Sequence, residues 1–133
     1  MLNGNKFYEL PTYLTQNELN EVCAYLQGAV YVWCCIKKTE EFAAKNFVGG
    51  TNYHWEGTPL YKIYQYYESN GSKNPESEAA KDVGIILKKV LIEDKRTFEQ
   101  IENPNEKRKY YKWDGNTNNE FQKEQKMQQY NIL

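Results

Sequence analysis

Two helix-start signals separated by a polar turn constrain the fold of this chain more than any other feature of its sequence. At Thr58-Pro59 a capping hydroxyl precedes a proline at the first helical position, and Asn74-Pro75 opens a second, longer segment. Proline suits that position because its fixed φ is helical and its missing N–H is not needed there. Asn70-Gly71 ends the first segment. We therefore predict two consecutive helices over residues 59–70 and 75–93.

Apolar side chains recur along one face of each predicted helix. In the first helix they are spaced at i, i+3, i+4 and i+7, and they are Leu60, Ile63, Tyr64 and Tyr67. The second helix carries a longer stripe, made up of Ala79, Ala80, Val83, Ile86, Leu87, Val90 and Leu91. This spacing matches the period of an α-helix, so each helix is expected to bury one face in a core.

A β-hairpin is predicted to follow the second helix. The turn signal Asn103-Pro104-Asn105 separates two short segments over residues 97–102 and 107–113, and Asn and Pro are favoured in tight turns. Residues 114–133 are polar and rich in Gln and Asn, which predicts a tail that is either disordered or a marginal terminal helix. The folded domain is therefore expected to span residues 1–113.

The first half of the chain is predicted to add a helix, a strand and a second, short helix. Thr15 and Glu18 have the spacing of a capping box, and the helix that they start is expected to end at Gly28. Residues 29–36 form an apolar run of β-branched and aromatic side chains, which predicts a central strand covered on both faces. A short helix is predicted over residues 39–47. The expected fold class is α+β, a helical domain with a small antiparallel sheet.

Helix, polar turn, longer helix and hairpin follow one another over residues 57–113. Residues 57–71 (GTPLYKIYQYYESNG) resemble the first helix of the winged helix-turn-helix domains of phage and plasmid replication proteins, and residues 107–113 (KRKYYKW) resemble their last wing strand. The resemblance implies a winged-helix C-terminal half, although the region before residue 57 is more than a minimal winged helix needs. It also implies that the second helix lies in a DNA major groove while the wing touches backbone phosphate.

Basic side chains on the second helix and the hairpin are the candidates for nucleic-acid binding. They are Lys81, Lys88, Lys89, Lys95, Lys107, Arg108, Lys109 and Lys112. Amines and guanidinium groups are what contact with phosphate requires. The formal net charge of −1 excludes a globally basic protein, and residues 72–113 hold ten Lys and Arg against eight Asp and Glu. Lysines that are simply solvated on an outer helix face would fit the same pattern.

Two isoleucines on the outward face of the second helix favour a protein partner instead. Ile85 and Ile92 share that face with Lys81 and Lys88, and apolar side chains there suggest packing on the N-terminal layer or on another protein. Trp55, in a predicted loop, is a third candidate for contact with a partner. With tyrosines nearby in the sequence, it is also a candidate for stacking on a nucleotide base.

The sequence contains no convincing catalytic or metal-binding pattern. His54 is the only histidine, and no serine or cysteine pairing pattern accompanies it. Cys23, Cys34 and Cys35 have neither an even count nor the spacing of a zinc site. We therefore expect no enzyme activity, no cofactor and no metal. We also expect a cytoplasmic protein, because the start lacks a signal peptide and the longest apolar run, residues 29–36, is too short to cross a membrane.

These features favour a small non-enzymatic binding protein whose winged-helix core contacts DNA or a nucleic-acid-handling protein complex. The alternative is a phage or mobile-element inhibitor, of the anti-CRISPR or anti-defence type, that blocks a host protein by direct binding. The heavy use of Asn, Lys, Gln and Tyr with little Arg suits that alternative, because it is typical of AT-rich genes. A nucleotide-binding sponge is a third interpretation. The sequence leaves the oligomeric state open.

Overall fold

The computed structural model of the chain describes residues 1–2, 9–48, 55–102, 104–106 and 108–117. Those residues form three α-helices, one 3₁₀ turn and a two-stranded antiparallel sheet. The helices are α1 (Gln16–Ile36), α2 (Tyr61–Ser69) and α3 (Pro75–Glu93), and the strands are β1 (Arg96–Ile101) and β2 (Tyr110–Thr117). The 3₁₀ turn (Ala44–Asn46) lies between α1 and α2. The predicted α+β class is confirmed.

The first helix is longer than the sequence predicts. Its capping box is present as expected: the Glu18 N–H donates to Thr15 Oγ1 at 3.1 Å, and the Thr15 N–H donates to Glu18 Oε1 at 2.9 Å. However, the helix does not end at Gly28 but continues to Ile36. The predicted strand over residues 29–36 is therefore wrong.

The buried stripe of α1 explains why the helix continues. Val22, Leu26, Val30 and Cys34 are all buried, and their spacing of four residues keeps them on one face across Gly28. A glycine inside a helix costs about 1 kcal/mol relative to Ala, and a valine costs less than that. Burying the Val30 side chain stabilises the fold by roughly 1.5–3 kcal/mol. Packing therefore outweighs the local preference for a strand.

Between α1 and α2, the predicted helix over residues 39–47 is wrong except for the short 3₁₀ turn. Phe42 forms an isolated antiparallel bridge with Tyr111 of β2, in which each backbone N–H donates to the other residue's carbonyl oxygen at 2.8 Å. A residue paired in this way is not helical, so long-range pairing overrides the local signal. The 3₁₀ turn is closed by Asn46, whose side chain accepts a hydrogen bond from the Ala43 N–H at 2.8 Å.

The two predicted consecutive helices are confirmed. Helix α2 begins two residues after the expected start, and Thr58 Oγ1 accepts a hydrogen bond from the Leu60 N–H at 3.2 Å just before it. Helix α3 occupies the predicted residues with Pro75 first. Its buried side chains are Ala79, Val83, Ile86, Leu87, Val90 and Leu91. Ala80, which was expected in the same stripe, is only half-buried.

The predicted hairpin is confirmed and is longer than expected at its C-terminal end. Strands β1 and β2 pair antiparallel, with Phe98 opposite Trp113. Strand β2 continues to Thr117, so residues 114–117 belong to the sheet and not to the predicted polar tail. Residues 118–133, the rest of that predicted tail, lie outside the described residues.

One core lies between the three helices and the hairpin. Leu26 of α1, Ile63 of α2, Leu87 of α3 and Phe98 of β1 have no exposed surface. Phe42 is equally buried, and its ring centroid lies 6.1 Å from that of Phe98. Helix α3 packs against α1, α2 and β1, so its orientation relative to the hairpin is fixed by the core. Among the described residues, no helix has the length and apolar character needed to cross a membrane.

Candidate nucleic-acid interface

A groove with a volume of about 620 Å³ lies between α3 and the hairpin, and we call it the α3–hairpin groove. One wall is α3, which contributes Ser77, Ala80, Lys81, Gly84, Ile85 and Lys88. The other wall comes from the segment around the 3₁₀ turn and from the hairpin, and contributes Ala44, Lys45, Val48, Arg108, Lys109 and Tyr111. Parts of the chain that are far apart in sequence therefore meet across one surface.

Helical spacing places the α3 residues of this wall on one line. Ser77, Lys81, Gly84 and Lys88 follow one another at intervals of three or four residues, which keeps them on one face of a helix. The buried stripe of α3, centred on Val83, lies about 100° or more around the helix from this line. Packing of that stripe in the core thus holds the groove wall in a fixed orientation.

Pairing between Phe42 and Tyr111 builds the second wall. Lys45 follows Phe42 by three residues and Lys109 precedes Tyr111 by two, so the backbone bridge brings both lysines to the same side. Lys45 Nζ donates a hydrogen bond to the Tyr110 hydroxyl at 3.3 Å and lies 5.5 Å from the centroid of its ring. These contacts hold the Lys45 ammonium at the edge of the hairpin.

Positive charge is concentrated in the groove. Five of its lining residues are cationic, namely Lys45, Lys81, Lys88, Arg108 and Lys109. None of its lining residues in the described part of the chain is an Asp or Glu. Because the whole chain has a formal net charge of −1, this surface differs in sign from the molecule as a whole. A concave site lined by charges of one sign attracts ligands of the opposite sign.

Most of these cations are available to a ligand. In the part of the chain that the structure describes, Lys81, Lys88 and Arg108 form no ion pair. Lys109 Nζ lies 3.8 Å from Glu102, but both side chains are more than half exposed. Exposed pairs of this kind contribute at most about 1 kcal/mol. A phosphate group can therefore compete with Glu102 for the Lys109 ammonium.

The middle of the α3 wall is small and apolar. A methyl group placed on Gly84 would meet nothing within 4 Å, so this glycine leaves open space in the groove and does not serve close packing of helices. Ala80 and Ile85 flank it and are half-buried. The groove thus presents an apolar strip between cations, an arrangement that suits a ligand with phosphates and an apolar group such as the methyl group of thymine.

Four of the eight basic residues predicted to bind nucleic acid line this groove. They are Lys81 and Lys88 on α3 and Arg108 and Lys109 on the hairpin. Lys107, which directly precedes Arg108, lies outside the described residues. The helix and the hairpin therefore contribute to one surface.

The other three predicted basic residues do not line the groove. Lys89 is one residue beyond Lys88, which turns it by about 100° around the helix, and it forms an ion pair with Glu93. Lys112 Nζ lies 3.7 Å from Glu99 across the hairpin. Lys95 follows α3 and is not among the lining residues. Helical spacing predicts that Lys95 lies on the same face as Lys81 and Lys88 with Lys89 beside them, but α3 ends at Glu93, so this spacing does not extend to Lys95.

Sequence reasoning missed Lys45 as a groove residue. It lies well before the predicted winged-helix region and has no basic neighbour within five residues on either side. Only the bridge between Phe42 and Tyr111 brings it opposite Lys81 and Lys88. No local pattern in the sequence announces such a bridge, because a single paired residue has no periodicity.

The three residues predicted to contact a partner are in different environments. Ile85 lines the groove, whereas Ile92 is partly buried and packs against the core. The two isoleucines therefore do not form one exposed stripe. Trp55 is 3% exposed and its ring centroid lies 6.3 Å from that of Tyr64, so it offers almost no surface to a protein or a base. His54, its predicted neighbour in the loop, lies outside the described residues.

The cysteines are not arranged as a reactive or metal-binding site. Cys23, Cys34 and Cys35 are free thiols. Burial raises the pKa of the Cys34 thiol to about 11, so it stays protonated at neutral pH and acts as a small apolar side chain. Within the described ranges, no group of three His, Cys, Asp or Glu side chains is placed to hold a metal ion.

Residue chemistry and the geometry of the groove together define the candidate site. Five cations and an apolar strip lie on a surface that the core holds in place, and four of the cations are among the residues predicted from the sequence to bind nucleic acid. Three comparisons with known proteins add nothing to this, since no family model, no curated protein and no solved structure matches the chain.

Proposed function

We propose that this chain is a non-enzymatic DNA-binding protein with a winged-helix core, in which α3 enters the major groove and the hairpin acts as the wing. The observation that carries the proposal is the set of five cations, without a carboxylate among the described lining residues, in the α3–hairpin groove. The order of elements supports it. Helix α1, the bridging residue Phe42, α2, α3 and the hairpin follow one another, and a winged helix has a helix-turn-helix followed by such a wing.

The dimensions of α3 suit the major groove of B-DNA. Its 19 residues give a length of about 28 Å at a rise of 1.5 Å per residue. The major groove is roughly 12 Å wide and accommodates one helix. Ala80 and Gly84 are half-buried residues on the core side of this wall, and such small side chains leave room beside them for base edges. Ile85 beside them can contact the methyl group of thymine.

The cations would contact the two phosphate backbones that border this groove. Lys81 and Lys88 project from α3, while Lys45, Arg108 and Lys109 project from the opposite wall. Each phosphate neutralised releases a condensed counterion, so affinity depends steeply on salt concentration. A chain with a net charge of −1 binds DNA in this way only if its cations face the DNA together.

A fluorescence anisotropy titration with a labelled duplex tests this proposal. If all five groove cations contact phosphate, log K is expected to fall with log salt at a slope of about −4 to −5. The double substitution Lys81→Gln/Lys88→Gln should reduce that slope by about 2 and weaken binding at every salt concentration, because each lysine accounts for about one phosphate.

The matched control removes two lysines outside the groove. Lys62 lies near Glu18 and Lys112 lies near Glu99, and neither lysine lines the groove. The double substitution Lys62→Gln/Lys112→Gln therefore changes the net charge by the same amount away from the site. This control should keep the slope of the unsubstituted chain. Absence of duplex binding at 50 mM salt, or equal losses in the two double variants, would contradict the proposal.

A second candidate function is inhibition of a host protein, and Ile85 is the observation that favours it. An apolar side chain among cations also suits an acidic, partly apolar surface on a protein. Under this alternative the chain is a phage or mobile-element inhibitor, the alternative that its sequence also suggests. Its signature in the same titration is the absence of any duplex signal, with Ile85→Asp abolishing binding of the protein target while the circular dichroism spectrum stays unchanged.

A further inference from the structure

We propose that the chain forms a two-fold dimer through the outer face of the C-terminal half of α1, with the two α1 helices antiparallel. We call this face the α1 patch, and it consists of Ala24, Gly28, Tyr31, Val32, Cys35 and Ile36. The proposal does not depend on DNA binding, because the patch and the α3–hairpin groove share no residue.

The α1 patch is exposed. Val32 is 57% and Ile36 is 70% exposed, and Tyr31 is 42% exposed. These are three of the five exposed large hydrophobic side chains in the described part of the chain, so such residues are concentrated on this one helix. A single exposed apolar side chain is normal, but a contiguous apolar patch marks a surface that another molecule covers.

The spacing of the patch shows that it is a second apolar face of the helix. Counting from Ala24, its members lie at i, i+4, i+7, i+8, i+11 and i+12, and they share one side of a helix. The other side carries the buried residues Val30 and Cys34, which face the chain's own core. A helix that is apolar all round is normally buried all round. The Arg96 guanidinium lies 4.8 Å from the centroid of the Tyr31 ring. In the part of the chain that the structure describes, the outer face of this half of α1 nevertheless stays exposed although its composition is apolar.

Charge at the two ends of the patch identifies the occupant as a second copy. Glu21 is exposed and lies on the same side of the helix one turn before Ala24, while Lys37 and Lys38 are exposed immediately after Ile36. The charged residues that adjoin the patch are thus acidic at one end and basic at the other, and the exposed Glu40 and Glu41 lie farther along the chain. An antiparallel copy places each acidic end against the other copy's basic end, and the two-fold axis repeats that contact.

Gly28 lies at the centre of this arrangement. With the two-fold axis at Gly28, Glu21 of one copy lies opposite the second copy's Cys35 and within one helical turn of its Lys37 and Lys38. A methyl group at Gly28 would meet nothing within 4 Å, and Ala24 is only one methyl group larger. Small side chains at the crossing point let two helices approach closely, so that Val32 and Tyr31 on either side are covered.

Sedimentation equilibrium of the full chain between about 1 and 200 µM tests the dimer. We expect the mass to rise with concentration from 15.8 kDa to twice that value. Val32→Glu should weaken dimerisation by about tenfold or more, because it places a charge in a desolvated interface. Since Val32 is more than half exposed, this variant should keep the circular dichroism spectrum of the unsubstituted chain. The matched control is Gln65→Glu, the same change of charge at an exposed position on α2, and it should leave the mass unchanged.

A mixing experiment distinguishes a second copy from any other occupant. Glu21→Lys alone, and Lys37→Glu/Lys38→Glu alone, each place like charges together at both ends of the interface, so each should be impaired in self-association. Mixed in equal amounts, the two variants place opposite charges at both contacts and should form a heterodimer. A monomer at 200 µM, a dimer unaffected by Val32→Glu, or a mixture that stays monomeric would overturn the proposal.

Discussion

Asp82 joins three parts of the chain through its carboxylate. Its Oδ2 atom accepts a hydrogen bond from the Tyr13 hydroxyl at 2.5 Å and another from the Tyr67 hydroxyl at 2.6 Å. Asp82 belongs to α3, Tyr67 to α2, and Tyr13 precedes α1. Burial and hydrogen bonding to Asp82 raise the pKa of both tyrosines, that of Tyr67 to about 12. Both hydroxyls therefore stay protonated as donors over the physiological range of pH.

Removing this acceptor should destabilise the fold. Asp82→Ala leaves two partly buried hydroxyls without their partner, and we expect the free energy of unfolding to fall by about 2 kcal/mol. Urea denaturation at pH 7 measures the change. Glu40→Ala, at an exposed position, serves as the control and should change the free energy by less than about 0.5 kcal/mol. Equal effects of the two substitutions would mean that the carboxylate contact contributes nothing measurable.

Alkaline pH tests the same contact at Tyr67. Its pKa of about 12 in the folded chain lies above the value of about 10 for a tyrosine in an unfolded chain. Its contribution to stability is therefore complete below about pH 10 and is lost as the pH rises from about 10 towards 12. We expect the free energy of unfolding to decline less steeply over that range in Tyr67→Phe than in the unsubstituted chain, as measured by urea titrations at several pH values. Identical declines would contradict this role.

At the scale of elements, the sequence predicts those whose start and stop signals are local. Helix α2, helix α3 and the hairpin each lie between such signals, at Thr58-Pro59, Asn74-Pro75 and the turn after β1. Residues 29–36 follow Gly28, a local stop signal that the fold overrides, and they are apolar on both faces of α1. The periodicity that distinguishes a helix from a strand is then absent. Only the packing of the buried stripe decides the outcome, and no window of sequence contains that information.

Gly84 offers a test of how far α3 depends on helix propensity. It lies inside the helix, and a methyl group added there meets nothing within 4 Å. We expect Gly84→Ala to raise the free energy of unfolding by roughly 0.5–1 kcal/mol, because alanine is the better helix former. Gly71 is the matched control: its φ of 76° is left-handed, so Gly71→Ala should lower stability by about 1 kcal/mol. The midpoint temperature of thermal denaturation should rise in Gly84→Ala and fall in Gly71→Ala. A shift in the same direction in both variants would contradict this prediction.

At the scale of the whole molecule, the candidate site depends on contact between distant segments. The segment around Phe42 pairs with β2 of the hairpin and so completes the wall that faces α3. Basic residues on α3 and the hairpin could be predicted from the sequence, since both elements are local. Helical spacing also separates Lys88 from Lys89, but it does not show which face of α3 meets the hairpin to form a groove. The fifth cation, Lys45, depends on the bridge between Phe42 and Tyr111, a pairing across more than half of the chain. A basic surface assembled from distant segments therefore cannot be recognised from the net charge or from charge counts along the sequence.

Lys45 and Lys112 therefore make a decisive pair for the proposed DNA interface. Sequence position favours Lys112, which belongs to the predicted wing, whereas the folded structure favours Lys45, which lines the groove while Lys112 lies near Glu99 outside it. If α3 and the opposite wall contact the same duplex, Lys45→Gln should reduce the slope of log K against log salt by about 1. It should also weaken binding to the same extent for every DNA sequence. Lys112→Gln removes the same charge and should leave the affinity within about twofold, since Lys112 is not among the residues that line the groove. A larger loss for Lys112→Gln than for Lys45→Gln would place the DNA on the outer face of the hairpin and not in the groove.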